Sequence, residues 1–480
     1  MPARIVPIAH NLASTRRQFV AAVAAATVAP AIGSTSISGA VTPEMFGAKG
    51  DGRTNDTQAF AAMSAHLNAR GGGTIVLRPV VYIVGEQHPS GGGRKPSFAP
   101  VDIIRLARCT GPIEIAGNGA TLRCAPGLRY GRFDPVSGEP LPLPPKRDFT
   151  NQAIPYPAMI DIRHCSGGIS ISDLELDGNL KAMLIGGRSG KFGWQAGGTG
   201  IRLLNGDGPE RLSRIRSHHH PEDGAILAPA TDRSGSTTVT DLVCDYNGRQ
   251  GCSITGGRNL VFNRCKFRHT GKSVIQHAPG HGVDIEAEGR PIRNVSFVEC
   301  EFSDNITPGI GVGSQTDSSD ISFSGCRFVG TTRWAAWLDR PGIRARNCLF
   351  VGSIVHVHGD SDPARATQFI DCIFTDDPSL SPTGSVFLGR GGPKSIAVIG
   401  DAQNVLFSRC HFRLKADGLL PFSGNQVIYA NCDMSQASPS LSSPFGTYIG
   451  TNSIRGAVNL GDSVIRGKVT LNGRLVPLSR

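Results

Sequence analysis

Aromatic residues are scarce in this 480-residue chain, at 6%, and no stretch reaches the ~18 consecutive apolar residues a membrane-crossing helix requires. Charged residues are also few, at 18%, while 39% are hydrophobic; a chain so composed buries a core and is not a disordered, solvated polymer. No C-x-x-C pair occurs, which removes sequence support for a zinc or redox site at Cys109 or Cys124. Blocks of Lys and Arg are absent, and aromatics do not interleave with basic residues, so nucleic acid is not the expected partner. What the chain has in quantity is glycine, 61 residues, and proline, 32. That many turn formers exclude a helical bundle and point to a turn-dense all-β chain.

The first forty residues stand apart. Ser14-Thr15-Arg16-Arg17-Gln18-Phe19-Val20 precedes the mild apolar run Ala21 to Ala29, then Pro30 and small residues. The paired arginines resemble a twin-arginine export signal with cleavage after Ala31 or Ala40, so residues 1–40 are expected to be signal and linker and the remainder periplasmic or secreted. The net charge is +11, and loss of Arg4, Arg16 and Arg17 lowers it by three. In an exported protein, a moderate positive field favours an acidic polysaccharide or envelope polymer.

The strongest signal is a repeat in the second half, with an apolar aromatic three residues before a cysteine and another two after it. Its copies are Phe262/Cys265/Phe267, Phe297/Cys300/Phe302, Phe323/Cys326/Phe328, Phe369/Cys372/Phe374 and Phe407/Cys410/Phe412, with weaker copies around Cys348 and Cys432. Counted from Cys244, the steps are 21, 35, 26, 22, 24, 38 and 22 residues. Such a period, without a helical pattern or a leucine signature, fits one turn of a parallel β-helix: three short strands, each turn stacked ~4.8 Å above the last. The residue before the cysteine is Gly325, Asn347, Asp371 or Asn431 in four of seven copies, types that tolerate a left-handed conformation. Cysteines at this spacing read as buried rungs of an interior ladder, although twelve in an exported chain would otherwise suggest disulfides. The long steps, with Gly85 to Pro100 and Arg129 to Pro157, read as loops able to wall a groove.

Phe46-Gly47-Ala48-Lys49-Gly50-Asp51-Gly52-Arg53-Thr54-Asn55-Asp56-Thr57, then an alanine-rich amphipathic segment and Gly71-Gly72-Gly73-Thr74-Ile75-Val76-Leu77, reads as a glycine turn, an Asp or Thr cap, a helix, a glycine stop and a strand. It resembles the entry segment of the pectate-lyase-like superfamily, and Leu174-Glu175-Leu176-Asp177-Gly178-Asn179 resembles a second phrase of those proteins. The resemblance implies a right-handed parallel β-helix in one domain, 41–480, with a capping helix at about 56–70 and coils at about 74–475. It also implies activity on polysaccharides, as lyase, hydrolase or epimerase, without choosing among them. Gly280-His281-Gly282 resembles the Gly-His-Gly of polygalacturonases, whose Asn-Thr-Asp and Arg-Ile-Lys companions are missing here, as is the Asp-Pro-His-Glu of mannuronan epimerases.

Candidate chemistry concentrates between His269 and Glu288. Alternation over Gly282 to Glu288 turns Val283, Ile285 and Ala287 inward and Asp284, Glu286 and Glu288 outward. Three carboxylates on one face repel unless a cation, a lysine or a substrate covers them, so the three are the candidate ligands of a divalent ion such as Ca2+; a plain solvated face is the alternative. Aligning coils by their cysteines sets Gly282 level with Gly224, Gly251 and Gly309, placing Glu222-Asp223 at the same edge as His281, about two coils away. Lys272, His277 and His281 lie in or beside the longest loop of that coil. Lys272 with a base suits β-elimination on a uronate, while Asp223 with Asp284 suits hydrolysis. The expected catalytic set is therefore Asp223, Lys272, His281, Asp284 and Glu286, with Glu222, His277, Trp334 and Trp337 contacting substrate; Trp194 is a third candidate sugar platform, and packing is the alternative for at least one of the three tryptophans. His218-His219-His220 reads as a polar turn, because adjacent strand residues point to opposite faces. A non-catalytic carbohydrate-binding or envelope-structural β-helix is the competing class.

Overall fold

The computed structural model describes residues 39–93, 95–142, 150–187, 196–232, 235–313, 317–389 and 394–479. Arg16, Arg17 and Trp194 lie outside them. No helix among the described residues is long and apolar enough to cross a membrane.

From Gly73 onward the chain winds through three sheets of almost wholly parallel strands, in the right-handed parallel β-helix. The first sheet runs from Gly73–Val76 to Val464–Ile465 and the second from Val81–Val84 to Lys468–Leu471; four long early strands, such as Glu210–His218, bend across both. The third has eleven strands, from Ile104–Ala107 to Phe422–Ser423. At the far end Arg474–Val476 folds back antiparallel on Lys468–Leu471.

The near end is closed by α1, Thr57–Arg70, which buries Phe60, Met63 and Leu67 on the first coils. These recur at helical spacing and form the one apolar stripe of the helix. Gly71, at φ 75°, ends it and donates to the carbonyls of Leu67 and Asn68. Asp56 does not cap: its carboxylate turns back to accept from the Lys49 and Gly50 amides, at 2.7 and 3.0 Å.

All twelve cysteines are buried and free. Seven, from Cys265 to Cys432, stack at the corner between the first two sheets, where thiols accept from or donate to the backbone of the adjoining coil, as in Cys265 N–H to Cys300 Sγ at 3.4 Å. Cys244 does not belong to this ladder. It pairs with Phe267 in the second sheet, so it fills a phenylalanine position. Stacked rings flank the ladder, with Phe302 between Phe267 and Phe328 at centroid distances of 5.6 and 4.8 Å. The residue before each of the seven cysteines has positive φ, including Arg264, Glu299 and Arg409. Left-handed geometry costs about 1–2 kcal/mol at such residues; at Arg264 and Arg409, bidentate pairs with Asp241 and Asp371 one coil away accompany it.

The two long loops contain strands. Gln87–Pro89, Phe98–Pro100, Gln152–Ala153, Arg129–Arg132 and Leu184–Gly186 form a separate five-stranded sheet with its own small core of Phe98, Phe133 and Ala153. Tyr130 and Tyr156 tie this wall to the coils by hydrogen bonds to His277 and His220, at 3.2 and 2.8 Å.

Candidate functional site

The third sheet carries the densest arrangement of chemical groups. Its register pairs Ser253 with Asp284, Asp284 with Gly311 and Gly311 with Trp337 on successive coils. Val283 and Ile285 are fully buried, so the pleat turns Asp284 outward between them. After Ile285 the strand ends, and the amides of Glu286 and Glu288 donate to the carbonyls of Ile254 and Thr255, at 3.1 Å each. An open cleft of about 490 Å³ lies over this row, lined by Pro279, His281, Asp284, Glu286, Gly311 and Trp337 among others.

Hydrogen bonds hold the floor. Gln250 donates from Nε2 to Asp284 Oδ2 at 2.7 Å and accepts from the His281 amide at 2.8 Å. His281 Nδ1 stands 3.3 Å from Asp284 Oδ1. Gly311 provides the room, since a Cβ there would meet the His281 ring at 2.4 Å. One coil on, Trp337 stacks on His356 with centroids 4.0 Å apart and packs edge-on against Trp334 at 5.8 Å. The Glu286 carboxyl is raised above its ordinary 4.5 by partial burial, then by the negative charges of Asp284 and Glu288. A carboxyl so placed holds its proton to higher pH than an ordinary glutamate and suits general-acid work.

His281, Asp284, Glu286 and Trp337 thus converge; the other expected residues are placed elsewhere. Asp223 is fully buried two coils below His281, accepting from Arg249 Nε and Nη2 at 2.8 and 2.7 Å and from Ser253 Oγ at 2.7 Å. Such a pair orders the scaffold and leaves no carboxylate oxygen facing a substrate. Glu222, beside it, is 5% exposed. Lys272 turns away to pair with Asp304 and donates to Thr331 Oγ1 at 3.3 Å, so it does not cover the carboxylates of the cleft. His277 is buried on Tyr130, where burial and then the nearby Arg249 push it down to about 3; it stays neutral. Trp334 stands behind Trp337 and against Phe387, a packing position. Asp284, Glu286 and Glu288 do not gather as ion ligands: among the described residues, the one set of three or more metal-ligating side chains with atoms within 4.8 Å of one another is Asp177, His218 and His219.

Gln250, Arg249 and Gly311 support the site without belonging to any motif of the sequence. Register was the available signal, because the glycine alignment that sets Gly251 level with Gly282 also sets Gln250 level with His281. A second pocket of about 350 Å³ adjoins the cleft across Ala278 and Pro279 and is lined by Arg333, His277 and Thr307.

A family model described as a right handed beta helix region matches residues 160–377. No curated protein matches the chain. Among solved structures, ORF18 of Geobacillus virus E2 is 16% identical with a TM-score of 0.41, and the match covers 82% of this chain and 61% of that one, so the chain spans under two thirds of that protein. The A-module of the mannuronan C-5 epimerase AlgE6 of Azotobacter vinelandii is 17% identical with a TM-score of 0.44, covering 91% and 100%. An exopolygalacturonase of Thermotoga maritima is 14% identical with a TM-score of 0.40, covering 91% and 92%. At these identities the likeness is one of fold.

Proposed function

We propose that the protein is an exported enzyme that hydrolyses glycosidic bonds of an acidic polysaccharide in the cleft on the third sheet. The observation that carries this reading is the pairing, in one cleft, of a raised carboxyl, Glu286, with a second carboxylate, Asp284, that Gln250 holds in place beside His281. Hydrolysis uses two carboxyl groups in opposite states: the protonated one gives its proton to the leaving oxygen, and the ionised one activates water or attacks the sugar. Glu286 fits the first role and Asp284 the second. Trp337 offers an aromatic surface for a sugar ring, and Arg333 in the adjoining pocket supplies positive charge for an acidic residue of the polymer.

Elimination is less well supported. It calls for a cation against the uronate carboxylate and a base at the neighbouring carbon. Lys272 is engaged by Asp304 and Arg249 by Asp223, and no Lys or Arg lines the cleft among its described residues.

The test is a panel of acidic polysaccharides followed in parallel for reducing ends and for absorbance of unsaturated uronate. Reducing ends alone are expected. Unsaturated product would replace hydrolysis by elimination, and silence on every polymer would leave the cleft as a binding groove.

A further inference from the structure

On the second sheet, away from the cleft, His218 ends the strand Glu210–His218 and His219 follows it, so the alternation that sends neighbouring strand residues to opposite faces stops between them. His219 has φ 54°, and this left-handed turn folds its ring back beside that of His218, with centroids 5.0 Å apart. The two Nδ1 atoms face one another at 2.7 Å, and Asp177 Oδ1 lies 3.8 Å from His218 Nδ1. We propose that Asp177, His218 and His219 bind one divalent transition-metal ion of borderline softness, the class of zinc(II), through the two Nδ1 atoms and a carboxylate oxygen.

The surroundings orient these ligands. His218 Nε2 donates to Glu175 Oε1 at 3.0 Å, which leaves its Nδ1 lone pair directed at the site. A carboxylate behind a histidine in this way is the usual outer support of a metal-bound imidazole. Glu175 is itself held by Thr121 Oγ1 at 2.8 Å and Arg216 Nη1 at 3.0 Å. The His219 ring is clamped by stacking on Tyr246 at 5.3 Å, and Tyr246 stacks in turn on His269 at 4.5 Å. Without an ion, His219 donates its Nδ1 proton to His218 Nδ1. Binding needs that proton on His219 Nε2, a change of tautomer with no net proton released.

The donor set selects the metal class. Asp177 Oδ2 accepts from Arg123 Nε and Oδ1 from the Asn179 amide, both at 2.8 Å, while Arg216 balances Glu175. With the carboxylates so neutralised, attraction rests on the imidazoles, which suit zinc, cobalt(II) or nickel and not the all-oxygen preference of calcium. His218 is buried, while His219 and Asp177 are half-buried, so three protein ligands leave the remaining positions to water.

The test titrates chelator-treated full-length protein with zinc(II) by calorimetry and with cobalt(II) by visible absorption. One equivalent of zinc per chain and a cobalt ligand-field band are expected. Both should disappear in Asp177→Asn and in His219→Asn, the latter chosen because asparagine accepts a left-handed backbone. Glu175→Gln should weaken zinc roughly 10- to 100-fold. Circular dichroism and melting curves show which variants are folded; if His219→Asn is not, Glu175→Gln decides. Absence of stoichiometric zinc in the parent, undiminished binding in folded His219→Asn, or unchanged affinity in Glu175→Gln overturns the proposal.

Discussion

The His281 ring occupies the place where a side chain at Gly311 would stand: a Cβ built there meets Cε1 and Nδ1 of the ring at 2.4 Å. Gly311 lies in the strand Ile310–Val312 at a backbone angle open to any residue, so the cost of alanine there is that of displacing the His281 ring, about 1–3 kcal/mol. Gly311→Ala should still fold, with a melting temperature lowered by a few degrees, and lose roughly tenfold to a hundredfold in kcat/KM, because the ring that borders Asp284 must move. Undiminished turnover in the folded variant would separate His281 from the chemistry.

Glu286 is raised in part by the charge of Glu288, which lies outside the cleft lining. A general acid works only while protonated, so activity declines as pH rises through its pKa. Removing a neighbouring negative charge lowers that pKa. Glu288→Gln should therefore move the alkaline limb of the pH–rate profile toward lower pH, by a fraction of a pH unit given solvent screening, with the plateau rate preserved. A limb that stays put, or moves up, would take the acid role from Glu286.

The coils were legible in the sequence because a parallel β-helix writes its period into its interior. Phe297, Cys300 and Phe302 repeat since each contacts its counterpart one coil away, and the glycines at 224, 251, 282 and 309 share one register position. Outward chemistry was legible only where it followed the pleat, as at Asp284. The pairing of Lys272 with Asp304 depends on where a long loop closes, and the meeting of His218 with His219 on one backbone angle. Neither leaves a mark in spacing. Arg264, Glu299 and Arg409 show the same limit, adopting the left-handed turn that their residue types disfavour because the coil above and below requires it.

Asp223 separates a structural role from a catalytic one. Its carboxylate is fully buried and forked to Arg249. Truncating one partner of such a pair leaves the other charged and unpaired, at about 3–5 kcal/mol. Asp223→Ala should lower stability by that order in denaturant melts, while Asp284→Asn leaves stability nearly unchanged and reduces kcat by roughly 10²–10⁴. A stable Asp223→Ala protein with abolished turnover would return Asp223 to the active site.

Glu222 gives the fold a pH dependence of known sign. It is 5% exposed, and its Oε1 has no hydrogen-bond partner among the described residues. Burial raises its carboxyl from 4.5 to about 7; Arg249 opposes the rise and Asp223 adds to it. The unfolded chain releases this proton near its ordinary value while the folded chain keeps it, so between the two values the folded state binds more protons and stability falls as pH rises. Above about 7 the loss is complete, and the interval corresponds to roughly 3 kcal/mol at most. Glu222→Gln removes the titration but keeps the shape. Urea melts should therefore show the variant gaining on the parent between roughly pH 4 and pH 8, with the gap opening below neutrality. Parallel stability profiles for the two proteins would mean that Glu222 reaches water and that the wall of strands built on Tyr130 does not seal this corner of the coil.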